Sequence, residues 1–127
     1  MNKKLLGIEI PTEEKEDILE KILEGIPKGE KYHHVMSLNP EIFVQMHNSI
    51  EFKKVVAWSQ TKIVDGFGVV LAAHLLGVPV GARLTGVDMM DEVIKRASAE
   101  SLSVLLIGGK EKVAEKLADC YRSKYSS

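Results

Sequence analysis

Ile63-Val64-Asp65-Gly66-Phe67-Gly68 is the stretch from which the fold is read. Ile63 and Val64 end a short apolar run of strand character, and Asp65 stands directly after it. Gly66 and Gly68 let the backbone turn tightly into an apolar helical segment that runs to residue 76. In open α/β sheets ligands bind outside the carboxyl ends of the strands, so an acid in that place faces a cleft rather than a core. Aspartate is also a favoured helix N-cap. Asp65 therefore reads two ways from this stretch alone, as a cleft-facing acid or as the cap of the helix that follows.

On the amino-terminal side, residues 5 to 10 form a β-type run closed by Pro11. Thr12 followed by Glu13 and Glu14 marks a helix start, and Ile18, Leu19, Ile22 and Leu23 make one apolar stripe on that helix. A polar connection at 28 to 31 leads to a strand at 32 to 38, stopped by Asn39-Pro40. Proline suits the first position of a helix, here 41 to 48, and disfavours helical geometry in the residue before it. A second helical piece, 51 to 59, turns Phe52, Val55, Val56 and Trp58 inward and precedes the strand at 62 to 64.

On the carboxyl side, the helix at 67 to 76 is apolar almost all round, with only His74 interrupting, so burial on more than one side is expected. Val78-Pro79-Val80 is a short extended piece, and Arg83-Leu84-Thr85-Gly86 opens an amphipathic helix with Val87, Met90, Val93, Ile94 and Ala97 on its inner face. Residues 102 to 107 are an uninterrupted apolar run of the kind found in parallel strands covered on both faces. Gly108-Gly109 closes that run, and a last helix from 110 to about 125 turns Val113, Leu117 and Cys120 inward. Strands alternating with helices indicate βαβ units. The expected fold is one α/β domain over 1–127: a Rossmann-like parallel sheet with helices on both faces.

Composition narrows the function classes. With 127 residues, 45% hydrophobic and 28% charged, the chain has enough material for one core. Its net charge of −1 provides no global basic field for nucleic acid or lipid. The single Cys120 excludes an internal disulfide and fits a reducing compartment. No run approaches the roughly 18 apolar residues of a spanning helix. The chain reads as soluble and intracellular.

Ser37 and Asn39, Asp65 and Gly66, Arg83 and Thr85, and Gly108 and Gly109 all follow β-type runs. In a parallel sheet they would converge on the ligand-binding edge. A Gly-Gly pair opening a helix suits a phosphate or ribose, and Arg83 would supply positive charge for a diphosphate. The phosphate-binding lysine motif and the G-x-G-x-x-G fingerprint are both missing, since Leu71 stands where a third glycine would be. No histidine pair has zinc spacing, and there is no Asp-x-Asp pair to hold a divalent ion.

The runs S-L-N-P-E-I-F at 37–43, V-D-G-F-G-V-V at 64–70, R-L-T-G-V-D-M-M at 83–90 and L-L-I-G-G-K at 105–110 resemble the WecG/TagA/CpsF family, glycosyltransferase family 26, and within it the TagA type. The resemblance covers nearly the whole chain in order. It implies an inverting, metal-independent transfer of ManNAc from UDP-ManNAc to GlcNAc on undecaprenyl diphosphate, in synthesis of the wall teichoic acid linkage unit. Related donors are the uronic acid of ManNAc and glucuronic acid. Asp65 matches the family's aspartate and would be the base, and Asn39 matches its Asn-Pro motif and would orient a sugar. Ser37 stands where many relatives carry threonine. Gly66, Arg83, Thr85, Gly108 and Gly109 would line the donor pocket. No cofactor and no metal are implied.

The resemblance also implies further strands and an arginine-rich carboxyl-terminal appendage beyond the last helix, reaching the inner face of the cell membrane. The chain thus reads as the first part of such an enzyme, with impaired donor binding, weak or absent turnover and a bare sheet edge. A non-catalytic nucleotide-binding or assembly module is the rival reading; a dehydrogenase half would need the missing glycine fingerprint. The apolar helix at 67–76, with Phe43 and Val44, reads equally as internally buried and as a self-association surface.

Overall fold

The computed structural model describes residues 4–25 and 32–125, which leaves the polar connection at 28–31 outside the described residues. Its elements are β1 (Lys4–Leu5), β2 (Ile8–Glu9), α1 (Lys15–Gly25), β3 (Val35–Leu38), α2 (Pro40–Asn48), α3 (Ile50–Trp58), β4 (Thr61–Val64), α4 (Phe67–Leu75), α5 (Gly86–Ala99) and α6 (Val113–Lys124). The chain divides into two compact units, Met1–Met89 and Met90–Ser127.

In the first unit β3 and β4 pair in parallel, from Val35 opposite Thr61 to Leu38 opposite Val64. Arg83 adds a parallel bridge to Val64, and the Leu84 amide donates to the Val64 carbonyl at 3.0 Å. β4 thus lies between β3 and the segment at 83. Ile63 and Val64 are 1% and 0% exposed. Successive strand residues point to opposite faces, so both faces of β4 are covered, as the α/β reading requires. On one face Leu38 and Val64 join Met46, Val56, Val69, Ala73 and the hairpin residues Leu5, Ile8 and Ile10 in one core. Each such aliphatic side chain contributes about 1.5–3 kcal/mol when fully buried.

The helix starts are built locally. The Asn39 side chain accepts from the Ile42 amide at 2.9 Å with Pro40 at the first helical position, and Ser49 caps α3 through the Phe52 amide at 3.1 Å. Residues 5 to 10, expected as one strand, instead fold into a hairpin whose turn residues Leu6 and Gly7 both have positive φ. Glycine takes that geometry without a Cβ penalty, which makes the two-residue turn accessible. The first helix begins at Lys15, later than Thr12 implied; the carbonyls of Pro11 and Glu13 accept instead from the Gly81 and Ala82 amides.

Three burial expectations are corrected. In α4 only Val69 and Ala73 are buried, while Phe67, Leu71 and Leu75 are 69%, 45% and 75% exposed. An i, i+4 pair suffices to face the core, and the rest of an apolar helix then faces outward. Val55 and Trp58 of α3 are likewise exposed. In α5 Val87 is exposed, and Met89 takes the inward place.

In the second unit Ile94 and Ala97 are buried, and Lys124 bonds Asp91 at 2.9 Å across α5 and α6. Helix α6 begins at Val113 and has no fully buried residue; Val113 and Cys120, expected inside, are exposed. Residues 102–107 are not a strand. Among the described residues no strand pairs with them, and Leu105 and Ile107 are 82% and 87% exposed. An apolar run becomes a buried strand only where a neighbour supplies a hydrogen-bonding ladder and helices cover both faces.

Candidate active site

The carboxyl ends of β3 and β4 carry Ser37, Asn39 and Asp65, each half-buried. Beside them the chain at 83 leads through Thr85 into α5. The amino-termini of α2, α4 and α5 therefore follow directly on three neighbouring strand segments. First-turn amides and the helix dipole make such ends favourable for anions.

Asp65 does not cap α4. The N-cap there is Gly66, at φ 92°, with no side-chain cap bond. That φ is natural for glycine and costly for residues with a Cβ. The Asp65 carboxylate turns instead to two other elements. Its Oδ2 accepts from Ser37 Oγ at 3.2 Å and from the Gly86 amide at 3.3 Å, both at the long end of hydrogen-bond distances. Of the two sequence readings, the capping of α4 is excluded by this geometry.

Thr85 is committed locally, because its Oγ1 accepts from the Asp88 amide at 3.2 Å and so caps α5. Asn39 Oδ1 caps α2, which leaves the amide nitrogen as its group for a ligand. The Arg83 side chain is exposed. Gly108 and Gly109 belong to the second unit and precede α6 by several residues rather than opening it. The structure therefore brings together Ser37, Asn39, Asp65, Gly66, Arg83 and Thr85 in one unit.

Two features were missed in the sequence. The Gly86 amide is a partner of Asp65, and Gly68 packs against Pro40, where an added Cβ would lie 2.8 Å from the proline Cγ. The T-G-V-D helix start signalled an end with amides to satisfy, but nothing local said which acid would satisfy them.

Among the described residues, clefts of about 720, 390 and 190 Å³ are lined by residues other than Asp65. The smallest contains Lys62, whose amine is pushed below its ordinary value by burial, partly offset by Glu9. Among the described residues no three His, Cys, Asp or Glu side chains converge as metal ligands. No helix among them is long and apolar enough to cross a membrane.

Comparison with known proteins gives a family match. The family described as "Glycosyl transferase WecG/TagA/CpsF family" matches residues 3–127. Proteins named N-acetylglucosaminyldiphosphoundecaprenol N-acetyl-beta-D-mannosaminyltransferase, from Staphylococcus aureus strains NCTC 8325 / PS 47 and COL, are each 29% identical over 91 residues. The match covers 72% of this chain and 36% of each relative, so the chain spans about a third of the length of the curated relatives it matches.

Proposed function

Because this chain belongs to the glycosyl transferase WecG/TagA/CpsF family, we propose that it carries the base of a transferase moving ManNAc from UDP-ManNAc to GlcNAc-diphosphoundecaprenol. The relatives' name supplies that acceptor and that sugar. The observation that carries the proposal is Asp65, a half-buried carboxylate at the carboxyl end of β4 beside an α4 amino-terminus with no side-chain cap.

The chemistry follows from that placement. Asp65 takes the proton from the acceptor hydroxyl as its oxygen attacks C1 of the donor sugar. The new C1–O bond forms on the face opposite the leaving group, and the C1–O bond to UDP breaks with its electron pair leaving on the diphosphate. The anomeric configuration is thereby inverted. The α4 amides and Arg83 stabilise the charge on the departing diphosphate. The Asn39 amide nitrogen donates to a sugar hydroxyl, and Gly66 permits close approach to the donor. The work is done at the inner face of the cell membrane, where the lipid acceptor lies.

UDP release from UDP-ManNAc, measured with a short-chain GlcNAc-diphospholipid, tests this. Weak release by the parent chain and its loss in Asp65→Asn are expected. A second reading, nucleotide binding without turnover, draws on the α4 amino-terminus that has no side-chain cap; UDP binding without UDP release would establish it and sink the first.

A further inference from the structure

We propose that Ser37 and the backbone amide of Gly86 are positioning groups that hold Oδ2 of Asp65, so that Oδ1 is the oxygen that receives the acceptor's proton. The inference rests on Asp65 being the base proposed above.

Both donors reach the same oxygen: Ser37 Oγ at 3.2 Å and the Gly86 nitrogen at 3.3 Å. Among the described residues no donor is bonded to Oδ1. The two donors come from opposite sides of β4, since Ser37 lies on β3 and Gly86 follows the segment that bridges Val64 through Arg83. A carboxylate held from both sides at one oxygen loses rotation about its last bond, and the other oxygen keeps a fixed direction. Catalysis depends on that direction, because a misplacement of about 1 Å can cost about a hundredfold in rate. The arrangement also satisfies a first-turn amide of α5 that has no partner within its own helix.

A backbone donor can be deleted here without a helix-breaking change. Gly86 is the first residue of α5, the position where proline is accommodated best. Thr85, as the preceding cap, occupies a place that is ordinarily extended, as a residue before proline must be. Gly86→Pro removes the amide hydrogen and puts ring carbon in its place. Gly86→Ala keeps the hydrogen, and its added carbon would sit at ordinary contact distance, 3.8 Å from Ser37 Oγ and 3.9 Å from Asp65 Oδ2.

The test measures kcat and KM for UDP-ManNAc in Ser37→Ala, Ser37→Thr, Gly86→Pro, Gly86→Ala and Asp65→Asn, together with the Gly86 amide proton resonance. Ser37→Ala and Gly86→Pro are expected to lower kcat by about ten- to a hundredfold with KM little changed. Ser37→Thr and Gly86→Ala are expected to keep the parent rate. In the resonance arm, Asp65→Asn is expected to move the Gly86 amide proton. Parent rates in Ser37→Ala and Gly86→Pro, with Asp65→Asn inactive, would overturn the positioning while leaving the base intact. Activity retained by Asp65→Asn would instead remove the base. If the parent chain does not turn over, the proposed function fails, and the resonance still decides the contact: a Gly86 amide unmoved by Asp65→Asn overturns it.

Discussion

A carbon added to Gly68 would lie 2.8 Å from Cγ of Pro40, so the second residue of α4 meets the first residue of α2 with no room for a side chain. This close approach sets the two helix amino-termini side by side at the ends of β3 and β4. It also explains the second glycine of D-G-F-G, which serves packing, whereas Gly66 serves the turn.

Gly68→Ala is therefore expected to destabilise the chain. Alanine favours the helix by up to about 1 kcal/mol over glycine. Overpacking against a rigid proline ring costs about 1–3 kcal/mol, and that term wins. Urea unfolding measures the balance. The double variant Pro40→Ala/Gly68→Ala is expected to recover much of the loss, since the two residues touch and their effects are not additive.

Asn39→Ala is expected to cost about 0.5–2 kcal/mol through loss of the α2 cap. Asn39→Asp keeps the capping oxygen and removes the amide nitrogen. Thermal unfolding near the parent value with greatly reduced transfer would assign the nitrogen to the sugar. Parent-level transfer by Asn39→Asp would confine Asn39 to capping.

Leu105→Lys and Ile107→Lys are expected to change stability by no more than about 0.5 kcal/mol, as surface substitutions do. Backbone amides at 103–107 are expected to exchange with solvent rapidly, since no strand among the described residues pairs with that run. Slow exchange there would show that the run is covered in solution.

The contact between α5 and α6 is expected to depend on pH through Asp91 and Lys124. The hydrogen bond from Lys124 holds the Asp91 carboxyl below its ordinary value of 3.8, and the same bond raises the Lys124 amine. A depressed acid stabilises the fold above its unfolded pKa, and that contribution is lost as pH falls through the lower folded value. The raised amine contributes below its ordinary range and loses this only as pH rises through its higher folded value. Both side chains are about half exposed, so the effect is small and salt-sensitive. Thermal unfolding of Asp91→Asn and the parent, compared from neutral pH to below 4, is expected to show a difference that disappears at the acid end.

Much of this arrangement was legible because its signals are local. A proline fixes its own φ and restricts the residue before it, so Asn39-Pro40 announced α2 before any packing was known. The apolar run ending at Val64, followed by an acid and a glycine, likewise placed Asp65 at a strand's carboxyl end. The family resemblance carried by four ordered motifs agrees with the match over residues 3–127.

Burial was less legible. The apolar character of α4 said that it would bury a face, but its exposed Phe67 and Leu75 depend on which neighbours are there to cover them. The run at 102–107 shows the same limit, since strand sequence alone provides neither a ladder partner nor a covering layer.

The sequence by itself determined the parallel βα pattern, the start of α2 at Asn39-Pro40 and the place of an acid at the end of β4. Only the tertiary structure decided what that acid does with its oxygens. Its donors lie 28 residues before it and 21 residues after it, at Ser37 and Gly86. Local propensity acts over about one helical turn. A hydrogen bond across such separations exists only after β3, β4 and the segment at 83 have been brought side by side.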